Sequence, residues 1–180
     1  MSIALTASER IARIRSDFRM GVAVGFRSGL EMWLVASSET ITLSRFNGMR
    51  KLGPLELAIT DWRAQTLSTW ATDGDIARLA IPDDKDLDWI HSVCDPSGDF
   101  NTPLKGPFTP IFGGSAEVSR TALAICKTAH LIPSAVMVNI TDQDIVGLDF
   151  IDLKQILSLL LNPSSQLIEV SAANVPLQVA

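Results

Sequence analysis

His91, Asp95 and Asp99 fall close together, and they are the residues best suited by type to acid–base chemistry. Imidazole is the commonest general acid or base, and a nearby carboxylate can orient it or relay its proton. His130 is the other histidine. Its place at the end of a helical pattern suits compensation of the helix dipole better than catalysis. Gly113-Gly114-Ser115 stands directly before a helical stretch, where backbone N–H groups can receive a phosphate or other anion. The P-loop lysine and spacing are missing, and a flexible turn with Ser115 as N-cap accounts for the same residues. Asp83, Asp84, Asp86 and Asp88 form the densest acidic group. The calcium-loop glycine and glutamate are absent, so these acids read as the solvated first turn of a helix and no metal is assigned. No Gly-x-Ser-x-Gly elbow supports a hydrolase triad.

These groups need a scaffold, and 180 residues suffice for one. A chain of this size buries roughly 70% of the surface its unfolded form exposes. The 47% hydrophobic content excludes a disordered tail and hints at an apolar face covered by a partner or a second copy. A net charge of −5 without a Lys/Arg run argues against nucleic acid. Cys94 and Cys126 are too few and too isolated for a disulfide framework or a zinc site. No apolar stretch is long enough to span a membrane, and charges interrupt the N-terminus, so a reduced cytoplasmic location is expected.

Thr6-Ala7-Ser8-Glu9 fits a capping box opening an amphipathic helix that Gly21 ends. Val22 to Phe26 and Met32 to Ala36 read as a hairpin about the turn Arg27-Ser28-Gly29, the second strand covered on both faces. A helix from Leu43 to Leu52 stops at Gly53-Pro54, and a strand from Leu55 to Ile59 follows. Thr60 and Asp61 then cap a helix through Leu67. Ala77 to Ile81 is a strand, and Pro82-Asp83-Asp84 opens another helix. Ser115 to His130 has helical period, Ala135 to Ile140 is an apolar strand, and Asp152 caps a helix from Leu153 to Leu161. Leu167 to Val170 is a last strand. The pattern predicts an α+β (α/β-like) fold: a single domain over residues 1–174, one mixed sheet flanked by helices, with 175–180 beginning a linker or tail.

The order of these pieces resembles 3,4-dihydroxy-2-butanone 4-phosphate synthase, a riboflavin-pathway enzyme. Leu34-Val35-Ala36 with Glu39, Leu57-Ala58-Ile59-Thr60 with Arg63-Ala64, and Asp99-Phe100 with Pro103 and Phe108-Thr109-Pro110 are similar to its successive segments. So are Ala129 to Ile140, Phe150 to Leu153 and Leu167 to Asn174. The resemblance implies a homodimer with sites at the interface and Mg²⁺-dependent conversion of ribulose 5-phosphate to a four-carbon phosphate and formate. It also implies an acidic loop, a metal-binding histidine and a strand glutamate.

The chain departs from that pattern at each point. The acidic loop shrinks to the turn at Arg27-Ser28-Gly29, Val118 takes the histidine position and Asn139 the glutamate position. Asn139 cannot carry an anionic charge or act as a base. The chain therefore looks most like the catalytically degenerate half that precedes GTP cyclohydrolase II in riboflavin-pathway fusions. That implies a homodimerising support module for a GTP cyclohydrolase II domain, and no cofactor. Two alternatives stand beside it. One is an active enzyme on a phosphorylated sugar, with Mg²⁺ and a site rebuilt from His91, Asp95, Asp99 and Asn139. The other is a small-molecule-sensing domain.

Overall fold

The structure is a computed structural model, and it describes residues 5–140 and 150–161. The expected strand at Leu167 to Val170 and the tail at 175–180 lie outside the described residues. Among the described residues, seven strands form one sheet: β1 (Val24–Ser28), β2 (Glu31–Ser37), β3 (Leu55–Thr60), β4 (Ile76–Ala80), β5 (Thr109–Pro110), β6 (Ser134–Ile140) and β7 (Phe150–Asp152). Their order is β5-β4-β3-β6-β2-β1-β7. Every pair is antiparallel except β1 with β7, which makes the sheet mixed, as the sequence predicts.

Among the described residues, six α-helices cover the two faces: α1 (Ala7–Arg19), α2 (Leu43–Arg50), α3 (Asp61–Thr66), α4 (Leu87–Cys94), α5 (Glu117–Thr128) and α6 (Leu153–Leu161). Strand side chains alternate between faces, and β6 shows the consequence. Val136, Val138 and Ile140 join Phe46, Leu57 and Ile90 in the core under α2, α3 and α4. Ala135 and Met137 join Phe18, Phe26, Val35 and Ile125 in the core under α1, α5 and α6. Both faces are covered, so β2 and β6 are apolar almost throughout.

Local signals place most element ends. The Thr6–Glu9 capping box forms, Thr60 accepts from the Arg63 N–H, and Asp152 accepts from the Lys154 N–H at 2.9 Å. Three expectations are corrected. The hairpin turn is Gly29-Leu30, with Arg27 and Ser28 still paired in β1. Gly29 has φ +63°, and glycine first in a two-residue turn suits the twist of paired strands. Pro82-Asp83-Asp84 does not open α4; Asp86 is its N-cap and only Asp88 lies in its first turn. The carbonyls of Pro82, Asp83 and Lys85 are turned instead toward the Arg50 guanidinium on α2. Finally, α5 is shorter than Ser115 to His130. Ala116 holds the N-cap position, and His130 lies beyond the helix at φ +60°, so Lys127 is the basic residue of the last turn.

Candidate functional site

Asp99 lies just after the short 3-10 turn Pro96–Gly98, and its carboxylate joins two cations. Arg63 Nη1 and Nη2 donate to Asp99 Oδ2 and Oδ1 at 2.6 and 2.8 Å. Lys105 Nζ donates to Asp99 Oδ1. The same guanidinium donates through Nε to the Val93 carbonyl at 2.6 Å, and through Nη2 to the carbonyls of Ser92 and Asp95. Arg63 thus ties α3 to the end of α4, and Lys105 closes the loop that follows. Both cations are buried, at 8% and 6% exposure. Hydrogen bonds from Arg63 and then Lys105 hold the Asp99 carboxyl far below the usual carboxylate range. A carboxylate so engaged is a poor base, because accepting a proton would break those bonds.

Asp95 also has a local task. Its Oδ1 accepts from the Ser97 N–H at 2.8 Å, which caps the 3-10 turn and lowers its carboxyl pKa. His91 is on α4 with its ring Nε2 buried, and no hydrogen bond joins that ring to Asp95 or Asp99. Asn139 lies opposite Trp33, whose indole packs against the core under α1, α5 and α6. By strand parity Asn139 occupies that same face, whereas α4 and its His91 belong to the other. The structure therefore gathers Asp95 and Asp99 around Arg63 but does not bring Asn139 to them. Gly113 and Gly114 are exposed at φ +76° and +70°. The Gly113 carbonyl accepts from Arg78, and Ser115 Oγ accepts from the Glu117 N–H at 3.3 Å.

Two charged residues on the Asn139 face went unremarked in the sequence. Arg78, 4% exposed on β4, forms a bidentate pair with Asp73. Glu56, on β3 between Ala80 and Met137, has a buried Oε2 with no hydrogen-bond partner. Burial pushes the Glu56 carboxyl up; Arg78 opposes this and Glu31 adds to it. Their signal was a lone charge inside an apolar run, Leu55-Glu56-Leu57 and Ala77-Arg78-Leu79. Because the folded-state pKa is raised, the protonated form stabilises the fold below the ordinary value of 4.5, and that contribution is lost as pH rises through the folded value. Glu56→Leu is therefore expected to raise stability at pH 7 by about 1 kcal/mol, or roughly 2–4 °C in Tm. The gain should vanish in thermal melts near pH 4. A loss of stability at pH 7 would show that the carboxylate is favourably engaged.

The positions implicated in metal binding lack the donors for it. Val118 is buried at 3% exposure as an α5 core residue, and Asn139 offers a neutral amide. The β1–β2 connection has only Gly29 and Leu30, with no acid in it. Among the described residues, no group of three or more His, Cys, Asp or Glu side chains is placed to hold a metal ion. These residues do not fit Mg²⁺, which requires oxygen ligands in near-octahedral geometry.

No protein-family model matches the sequence, and neither does any curated protein. Solved structures do resemble it. A cation-free 3,4-dihydroxy-2-butanone 4-phosphate synthase aligns with TM-score 0.61 at 14% identity, over 86% of this chain and 98% of that one. A 3,4-dihydroxy-2-butanone 4-phosphate synthase in complex with two magnesium ions gives 0.56 and 14%, over 87% of this chain and 99% of that one. RibBX, a two-domain 3,4-dihydroxy-2-butanone 4-phosphate synthase from A. baumannii, gives 0.58 and 14%, over 82% of this chain and 56% of that one. The mixed seven-stranded sheet with helices on both faces is thus the fold of 3,4-dihydroxy-2-butanone 4-phosphate synthase.

Proposed function

We propose that the chain is a catalytically degenerate riboflavin-pathway domain that dimerises and supports a GTP cyclohydrolase II domain. The observation that carries this reading is Val118. Where the resemblance implies a metal-binding histidine, a valine is packed into the α5 core. A side chain filled in among apolar neighbours is part of the core, and restoring a metal there would require rebuilding that packing. Asn139 in place of a carboxylate and the two-residue Gly29-Leu30 turn point the same way. Among the described residues, a seven-stranded sheet covered on both faces offers the folded surface that a support module needs. The two-domain organisation of RibBX supports attachment of this fold to a partner domain.

Purified protein mixed with ribulose 5-phosphate and Mg²⁺ should release no formate by NMR, and none of its resonances should shift. A GTP cyclohydrolase II domain should co-sediment with it. Formate at a catalytic rate would overturn the reading, and so would a chain inert toward both a second copy and the cyclohydrolase domain. Shifts without formate would favour a sensing pocket.

A further inference from the structure

We infer that Glu31, Glu56 and Asn139, with the Trp33 indole beside them, hold the ammonium group of a small organic amine. Met137 and Trp33 pack on the sheet face that carries α1, α5 and α6, and alternation along β2, β3 and β6 puts Glu31, Glu56 and Asn139 on that face too. Asn139 pairs with Trp33, and Glu56 pairs with Met137, two residues before Asn139. Glu56 and Asn139 are therefore diagonal neighbours across the strands, roughly 7–8 Å apart. Trp33 Nε1 donates to Glu31 Oε2 at 3.1 Å, which holds that carboxylate over the indole. It is near enough to Glu56 to raise its pKa. Glu56 Oε2 is buried without a hydrogen-bond partner, yet the residue keeps partial exposure, and Glu31 and Asn139 are exposed. The Glu56 carboxylate thus lies at the floor of an opening and is not sealed in the core.

A buried carboxylate oxygen without a donor costs the fold free energy, and a cation that donates to it offsets that cost. Arg78 does not fill this role, because its Nε and Nη2 are committed to Asp73 and to the Gly113 carbonyl. An ammonium group carries three N–H donors and no acceptor. Glu56, the second Glu31 oxygen and the Asn139 amide oxygen match it in number. A divalent metal ion matches less well, since Ca²⁺ and Mg²⁺ take six or more oxygen ligands. Among the described residues no group of three or more His, Cys, Asp or Glu is placed to hold one. The Trp33 ring selects further, because its face attracts cations and its apolar body receives an alkyl chain. An anionic ligand would instead meet two carboxylates on a chain of net charge −5. Such a site is independent of attachment to a cyclohydrolase domain.

NMR titration of the intact chain with n-butylammonium chloride, at constant ionic strength and mildly alkaline pH, tests this through the indole N–H resonances. The Trp33 resonance, assigned by its loss in W33F, should shift saturably with a Kd of about 1 mM or tighter. Those of Trp62 and Trp70, each 76% exposed, should stay in place. E56Q keeps the side-chain shape and removes the charge, so it should weaken binding at least about tenfold. E31Q, at an exposed position, should do the same and supplies the comparison if E56Q disturbs folding. Unchanged binding in either folded variant would overturn the site. So would shifts that fail to saturate or that spread equally over all the indoles, and so would displacement of the amine by equimolar Mg²⁺. Any of these results would leave the formate and co-sedimentation outcomes untouched, so this site can fail while the support role stands.

Discussion

Asp99→Asn is expected to cost about 3 kcal/mol of folding stability. The substitution preserves shape but removes the one carboxylate shared by Arg63 and Lys105. Both cations are more than nine-tenths buried, so neither can recover its hydration without opening the structure. Removing one partner of a buried pair costs about 3–5 kcal/mol. The low end applies because 27% of the Asp99 side chain is exposed. For a domain of this size the loss corresponds to roughly 6–12 °C in Tm. The pH dependence has a definite sign. Arg63 and Lys105 depress the Asp99 pKa, so its contribution is present above the ordinary carboxylate pKa and is lost as pH falls through the folded value. The wild type should therefore lose its advantage over D99N on strong acidification. Adding K105M to D99N should recover part of the loss by removing a stranded ammonium. Equal melting temperatures for D99N and wild type at pH 7 would show that the cluster contributes nothing.

This cluster also marks what the sequence could not disclose. Element ends were legible where the cause is local: the Thr6–Glu9 capping box, the Thr60 cap and the Gly53-Pro54 stop each act within a few residues. Arg63 and Asp99 are 36 residues apart, and no periodicity announces their meeting. Asp99 consequently looked like a candidate acid or base, whereas the fold makes it a structural counter-ion. The Pro82-Asp83-Asp84 start of α4 failed similarly, because Arg50 on another helix claims those carbonyls. Strand parity was legible in principle. Counting alternate residues along β6 from the apolar Val136 and Val138 puts Asn139 on the opposite face, away from the α4 side where His91 lies. What could not be read was which helices cover which face, since that depends on strand order.

Gly21→Ala should destabilise the fold by about 3 kcal/mol, from two separable causes. Gly21 follows α1 at φ +65°, in the left-handed region, where a Cβ costs roughly 1–2 kcal/mol. A Cβ built there would also stand 2.0 Å from the Thr40 carbonyl oxygen and 2.7 Å from its carbon. Those are backbone atoms, so no rotamer change relieves the overlap. The backbone itself is held on both sides. Arg45 Nη1 donates to the carbonyls of Met20 and Gly21 at 3.0 Å each, and the Thr40 hydroxyl donates to the Phe18 carbonyl. Moving α1 away from residue 40 would break these bonds and disturb Phe18, which is completely buried. Overpacking of this kind adds about 1–3 kcal/mol. Gly29→Ala separates the causes. Gly29 has nearly the same φ, +63°, but a Cβ there meets nothing within 4 Å. It should show only the conformational penalty of roughly 1–2 kcal/mol in urea unfolding. The difference between the two midpoints, at similar m-values, then measures the clash at Thr40. Equal losses at Gly21 and Gly29 would mean that the α1 junction yields freely and that its bonds to Arg45 and Thr40 do not hold it.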